Sequence, residues 1–93
     1  MRVSQHAFDR AETRLNLRPD SFERLVLKVR VKGRRHSEFS GHFRHYMDSK
    51  FMRYRLKEMW VYGEYLYPFA HDDTLPTVIK VPNYFKKYLI KKK

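Results

Sequence analysis

Three basic side chains recur every four residues at the start of the chain: His6, Arg10 and Arg14. Each step of four residues turns about 40° around an α-helix, so all three would share one helical face. An imidazole that titrates near neutral pH beside two guanidiniums has the chemistry to bind a phosphodiester and to cleave it. The alternative is a solvated helix face, on which Asp9 and Glu12 partly offset the arginines.

A metal-independent ribonuclease needs few groups beyond such a face. One group must take the proton of the 2′-hydroxyl, and cations must stabilise the charge that gathers on the phosphorane oxygens. His6 is the candidate base or acid, and Arg10 and Arg14 are candidate bidentate phosphate clamps. If the first helix crosses the sheet, Thr77 in a predicted strand would orient the phosphate. Its simpler interpretation is a β-branched residue packed in that strand.

Cationic side chains outnumber acidic ones by about two to one. The chain has 21 Lys and Arg against 10 Asp and Glu, a formal net charge of +11. Such a surplus favours polyanions, meaning nucleic acid, acidic proteins or anionic membranes. Arginine-rich stretches interleave with tyrosine and phenylalanine, which favours RNA, because guanidiniums and rings both stack on bases. We expect RNA as the partner, an acidic protein or antitoxin as a second partner, and no membrane contact.

The chain has no cysteine, which excludes disulfides and thiolate metal sites. No apolar run approaches the ~20 residues that cross a bilayer, and the N-terminus lacks the apolar segment of a signal peptide, so we expect a cytoplasmic protein. His42 and His45, with His36 nearby, have the spacing of metal ligands on a helix. No carboxylate is placed to complete such a set, Asp48 being the nearest, so we expect neither a metal nor a cofactor.

The first part of the chain has apolar residues spaced with a period near 3.6, typical of helices packed in one domain, 1–93. We predict three helices, beginning after a Ser4 N-cap, at Pro19 or Ser21, and after Ser40-Gly41. Gly33 stands where a left-handed C-cap would end the second helix. In the third helix, Phe43, Met47 and Tyr54 are the predicted inward residues.

Near residue 58 the period changes to 2, which is typical of strands. The segment 60–67 predicts a hairpin, in which Gly63 supplies the positive φ of a type II′ turn. The near-continuous apolar run 74–81 predicts a central strand, followed by a short helix over 84–89 and a frayed basic tail, 90–93. The sequence therefore predicts an α+β fold: three N-terminal helices, then a small antiparallel sheet of about three strands and a short C-terminal helix.

Four motifs resemble those of a group of small phage and prophage proteins: Ser4–Leu15 (S-x-H-A-x-x-R-x-x-x-R-L), His36–Tyr46, Val61–Gly63 and Thr74–Pro82. That group resembles the superfold of the barnase, colicin and RelE ribonucleases, in which an N-terminal helical His or Arg faces a sheet ending in a Thr-Val-Ile-type strand. The resemblance covers residues 3–82. It implies functional roles for His6, Arg10, Thr77, His36, Arg44 and Tyr46. The sequence departs from the pattern at Pro76, which removes a backbone donor from the last predicted strand.

The residues and the resemblance together favour a toxin-like, phage-encoded protein that binds RNA, with metal-independent endoribonuclease activity as one interpretation. We predict that His6, Arg10 and Thr77 are catalytic. Nucleic-acid contacts are predicted for Arg14, His36, Arg44 and Tyr46. The alternative is a non-catalytic basic phage protein that inhibits a host nucleic-acid or defence machine, or a plain nucleic-acid-binding module. Convergence of the catalytic set in one concave, water-accessible site would favour the enzyme, and dispersal would favour the binder.

Overall fold

A computed structural model describes residues 1–89 and places a four-stranded antiparallel sheet between two helical layers. A separate two-stranded parallel pair is formed by β1 (Arg2–Val3) and β5 (Thr74–Leu75). The strands of the main sheet, in spatial order, are β2 (Arg34–Arg35), β3 (Leu56–Tyr62), β4 (Tyr65–Ala70) and β6 (Ile79–Lys80). The predicted α+β class is confirmed. The predicted basic tail, 90–93, lies outside the described residues.

One face of the sheet is covered by α1 (Gln5–Arg10) and α2 (Pro19–Lys32). The predicted Ser4 N-cap is confirmed, because its hydroxyl accepts a hydrogen bond from the amide of Ala7 over 3.0 Å. α1 continues as a π-helical turn, Ala11–Leu15, a type of local distortion found often at functional sites. The helical residues buried on this side are Ala7, Ala11, Phe22, Val26 and Val29.

The other face is covered by α3 (Gly41–Tyr54) and by a 3₁₀ helix, Asn83–Leu89, which lies where a short C-terminal helix was predicted. Two of the three residues predicted to point inward from α3, Phe43 and Met47, are fully buried. The prediction is wrong for Tyr54, which is 37% exposed. Tyr54 is the last residue of α3, and the chain turns there through a left-handed residue, Arg55, into β3.

Alternation along the strands supplies both layers with apolar side chains. In β4, Leu66 packs against the α3 layer, whereas the next residue, Tyr67, packs against α1 and α2. A bulge in β3 between Leu56 and Glu58 changes the register. Because of this extra residue, Leu56 and Met59 both face the α3 layer although they are three positions apart. The sheet is therefore buried on both faces.

The order of the elements differs from the prediction. β1 precedes the helices and β2 lies between α2 and α3, so strands are not confined to the second half of the chain. The single central strand predicted over 74–81 is also wrong. It is divided into β5 and β6 by residues 76–78, and β6 lies at the edge of the main sheet beside β4. Pro76 accounts for the break, because it has no N–H to give to a ladder.

Gly33 ends α2 as predicted, but in an extended conformation with φ −73° and ψ 172° rather than a left-handed one. A Cβ here would lie 2.6 Å from the carbonyl oxygen of Val29 and 3.2 Å from that of Val61. Glycine is therefore needed because a Cβ would clash with the Val29 carbonyl of α2 and would crowd the Val61 carbonyl of β3. At the hairpin, Gly63 does have the predicted positive φ, 60°.

Candidate nucleic-acid interface

The structure brings two of the predicted catalytic residues together on the outer side of α1. Arg10 Nε donates a hydrogen bond to His6 Nε2 over 3.3 Å, and His6 is exposed. In this bond the imidazole Nε2 is the acceptor. An imidazole beside a guanidinium is a suitable arrangement for an encounter with a phosphodiester. The helical spacing predicted this pairing directly.

Arg14 and Thr77 also lie near α1, but both are packed or hydrogen-bonded within the protein. Arg14 Nη1 donates to the carbonyl of Val78 over 3.3 Å, which orients its guanidinium toward the 76–78 segment. Ser4 Oγ donates to the carbonyl of Pro76 over 2.8 Å, so Thr77 lies between two contacts with the first helix. Thr77 is only 6% exposed, whereas His6 is exposed. Thr77 is thus buried in the 76–78 segment between β5 and β6, and the prediction that it lies in a strand is wrong.

The remaining predicted binding residues lie on the opposite side of the sheet, around α3. His36 stacks on Phe51 with ring centres 4.2 Å apart, and its Nε2 lies 3.6 Å from Asp48 Oδ1. Arg44 Nε donates to the same carboxylate oxygen over 3.2 Å. Burial lowers the pKa of His36, and the charge of Arg44 lowers it further, so the ring is neutral at pH 7. His36 and Arg44 thus form one cluster, separate from the His6 pair.

His36 also lines a polar groove of about 440 Å³ together with Arg35, Ser37, Lys57 and Glu58. This groove is lined by an imidazole, a carboxylate and two cationic side chains. Glu58 is held there by two arginines, since Arg30 Nη2 lies 2.8 Å from Oε1 and Arg35 Nη2 lies 3.3 Å from Oε2. Charge-assisted bonds of this kind hold a carboxylate in one orientation.

A second surface is rich in rings and cations. We define the aromatic–cationic face as the side chains of His42, Tyr46, Lys50, Tyr84, Lys87 and Tyr88. Lys50 Nζ lies 5.0 Å from the centre of the Tyr46 ring, and Lys87 Nζ lies 5.3 Å from the centre of the Tyr88 ring. Within residues 1–89 neither lysine makes a salt bridge. Both ammonium groups can therefore meet an incoming anion without losing an acidic partner.

The two helical layers differ in charge and in ring content. α3 and the 3₁₀ helix contain five Lys and Arg, a single acidic residue and seven Phe and Tyr. α1, its π turn and α2 contain six Lys and Arg, but also four acidic residues and only two Phe and Tyr. The unbalanced positive charge and the stacking surfaces are therefore concentrated on the α3 layer.

Several of these residues were not singled out from the sequence as site residues. Lys57 and Glu58 belong to β3, and the pairing of β2 with β3 brings them beside His36, which directly follows β2. Tyr84 and Lys87 were assigned to a short C-terminal helix without a role. A signal was present for this second pair, because the segment 83–89 contains two tyrosines and two lysines and no acidic residue.

Comparison with family models, with curated proteins and with solved structures finds no significant match to this chain. Across residues 1–89, no group of three or more His, Asp or Glu side chains is close enough together to hold a metal ion. In the same part of the chain, no helix is long and apolar enough to cross a membrane.

Proposed function

We propose that the protein binds RNA and that the aromatic–cationic face is the contact surface. The observation that carries this proposal is the pairing of rings with cations there: Lys50 with Tyr46, and Lys87 with Tyr88. A nucleic acid offers a base for each ring and a phosphate for each cation. An acidic protein would use the cations but would gain little from Tyr84, whose ring is 69% exposed.

The sequence-predicted residues support the same surface in part. Tyr46 belongs to it, and Arg44 lies two positions earlier on α3. Burial raises the pKa of the Tyr46 hydroxyl, which keeps it a neutral donor beside the cations. His36 lies on the same side of the sheet, since it stacks on Phe51 of α3. Arg14, by contrast, belongs to the α1 side, where acidic residues offset the positive charge.

The experiment is the salt dependence of binding to a short labelled RNA, measured by fluorescence anisotropy between about 50 and 200 mM KCl. Log K should fall linearly with log salt. Lys87→Ala should lower the slope by about 0.7, the value for one phosphate contact on a single strand. Lys28→Ala removes the same charge from the exposed side of α2 and is the matched control.

Two outcomes would contradict the proposal. An affinity that does not change with salt would mean that phosphates are not the contact. A slope that responds to Lys28→Ala and not to Lys87→Ala would place the interface on the α1–α2 layer.

Metal-independent cleavage of RNA is a second candidate function, and the polar groove is the observation that favours it. The neutral His36 imidazole can accept the 2′-hydroxyl proton, while Arg35 and Lys57 carry charge that would stabilise the phosphorane. Glu58 would hold Arg35 in place through their 3.3 Å contact. The 2′-oxygen bonds to phosphorus while the P–O5′ bond breaks, and the leaving 5′-oxygen takes a proton from water. The product is a 2′,3′-cyclic phosphate, and because no metal ion takes part the reaction continues in a chelator. The set predicted from the sequence, His6, Arg10 and Thr77, remains a competing prediction for the same reaction.

A further inference from the structure

A cavity of about 310 Å³ opens on the aromatic–cationic face, lined by His42, Tyr84, Phe85, Lys87 and Tyr88. Its mouth is formed by Tyr84, which is 69% exposed, and its floor by Phe85, which is 7% exposed. The two ring centres are 4.4 Å apart. Phe85 is anchored in the core, where its ring centre lies 5.3 Å from that of Phe43. An exposed ring is thus held at the entrance by a buried one.

The lining identifies the chemistry of a ligand. A cationic ligand would be repelled, because Lys87 is part of the wall and no lining residue is acidic. A proline-rich peptide would use the rings but would leave the Lys87 ammonium without a partner. A flat ring that carries a phosphate satisfies both, since the ring stacks on tyrosine and the phosphate meets the ammonium.

We propose that this cavity takes one unpaired nucleobase of a single-stranded RNA, with the flanking phosphate on Lys87, and that it makes the protein select single-stranded over duplex RNA. This inference rests on the proposed RNA binding. A base inside a duplex is stacked on both sides and paired at its edge, so it cannot enter the cavity without being unpaired. Duplex RNA would still contact the cations through its phosphates.

The test compares the affinity of the full chain for a short single-stranded RNA and for the duplex of the same sequence at one salt concentration. The wild-type protein should bind the single strand more tightly. Tyr84→Leu keeps an apolar side chain and removes the ring, so single-strand affinity should fall about five- to 150-fold, the range for one lost base–ring stack. Duplex affinity should not change.

Two variants control the interpretation. Tyr84→Phe keeps the ring and should bind both RNAs like the wild type. Tyr54→Leu removes a partly exposed ring at the far end of α3, outside the cavity, and should keep the preference for single strands. Tyr84 is largely exposed, so circular dichroism should show an unchanged fold in each Tyr84 variant.

The outcomes separate this inference from the proposed function. Equal affinity of the wild type for both RNAs would overturn the inference and leave RNA binding standing. The same holds if Tyr84→Leu keeps the wild-type preference, or if Tyr54→Leu abolishes it. Failure of the wild type to bind either RNA at low salt would overturn the proposed function itself.

Discussion

The guanidinium carbon of Arg30 lies 4.1 Å from the centre of the Phe69 ring, so that a cation on α2 packs directly on β4. The same guanidinium donates to Glu58 on β3 and forms a two-point contact with the carboxylate of Asp73, in the turn after β4. One side chain therefore connects a helix, two strands and a turn. It also holds Glu58 in the polar groove, which links the stability of the fold to the geometry of a candidate site.

Arg30→Ala should destabilise the protein by about 1–3 kcal/mol, measured by urea unfolding at pH 7. The expected loss exceeds that of an ordinary surface ion pair, because the Arg30 side chain is only 26% exposed and the packing on Phe69 is lost as well. Arg24→Ala is the control on the same helix. Arg24 is exposed and its hydrogen bond to Ser21 is long, 3.5 Å, so its free energy of unfolding should change by less than about 0.5 kcal/mol. Equal effects of the two substitutions would contradict the central role of Arg30.

Asp73 should make the protein lose stability in acid. The hydrogen bond from Arg30 lowers the pKa of Asp73 well below its ordinary value, with a further contribution from Lys57. The folded state therefore favours the carboxylate, and the stabilisation is fully present above the unfolded pKa of about 3.9. As the pH falls from about 5 toward the folded pKa, the unfolded state binds the proton first and stability is lost.

Thermal unfolding from pH 7 down to pH 2 measures this effect. Asp73→Asn should lower the melting temperature at pH 7 and flatten its decline in acid. Asparagine tolerates the positive φ of this residue, 67°, so the turn itself should survive. The exposed Glu12→Gln serves as the control and should keep the wild-type decline. A wild-type decline in Asp73→Asn would show that other carboxylates carry the acid sensitivity.

Gly33→Ala should destabilise the protein by about 1–3 kcal/mol, the usual cost of overpacking. At a φ of −73°, alanine fits the backbone. It would otherwise stabilise the folded protein by about 0.4–1 kcal/mol, because it lowers the conformational entropy of the unfolded chain. The 2.6 Å approach to the Val29 carbonyl outweighs that gain, because the neighbour is backbone and cannot rotate away. Gly41→Ala separates the two causes. It meets open space but has a φ of 69°, so its cost should reflect backbone strain alone. A stabilised Gly33→Ala protein would mean that the end of α2 can shift enough to relieve the contact with the Val29 carbonyl.

These positions show what the sequence can and cannot predict. Ser4, Gly63 and the helical spacing act through neighbours along the chain, so the caps, the hairpin and the helices could be read from local patterns. Gly33 looks the same in the sequence whether it serves a positive φ or a close approach to Val61. Pro76 signals an interrupted ladder, but the pairing of β5 with β1 depends on residues more than 70 positions away in the chain.

The candidate sites also combine contacts that the sequence predicts with contacts that depend on the fold. His6 and Arg10 meet because four residues separate them on one helix, which the sequence displays. Glu58 and His36 line one groove because β2 pairs with β3, and the register of that pairing has no local sequence signal. Thr77 combines both kinds of property. Its strand propensity can be read from the sequence, but its burial depends on where the first helix packs.

His36→Gln should reduce RNA cleavage by about 10²- to 10⁴-fold if the polar groove is catalytic, the usual contribution of a general base. Burial and the charge of Arg44 lower the pKa of His36. The cleavage rate of the wild type should therefore rise with pH and reach a plateau, and the midpoint of the rise should lie below the ordinary histidine pKa of about 6.5.

His6→Gln is the matched variant in the competing set. His6 is exposed on α1, so its replacement should leave the melting temperature unchanged. Because His6 does not line the polar groove, the cleavage rate should also stay unchanged if the groove is the site. The assay follows formation of the 2′,3′-cyclic phosphate in the presence of a chelator, with RNA affinity measured on the same samples. Loss of cleavage in His6→Gln, with cleavage retained in His36→Gln, would transfer the reaction to His6 and Arg10. Binding without cleavage by the wild type would make the protein a non-catalytic binder, and the groove would then have no role in transesterification.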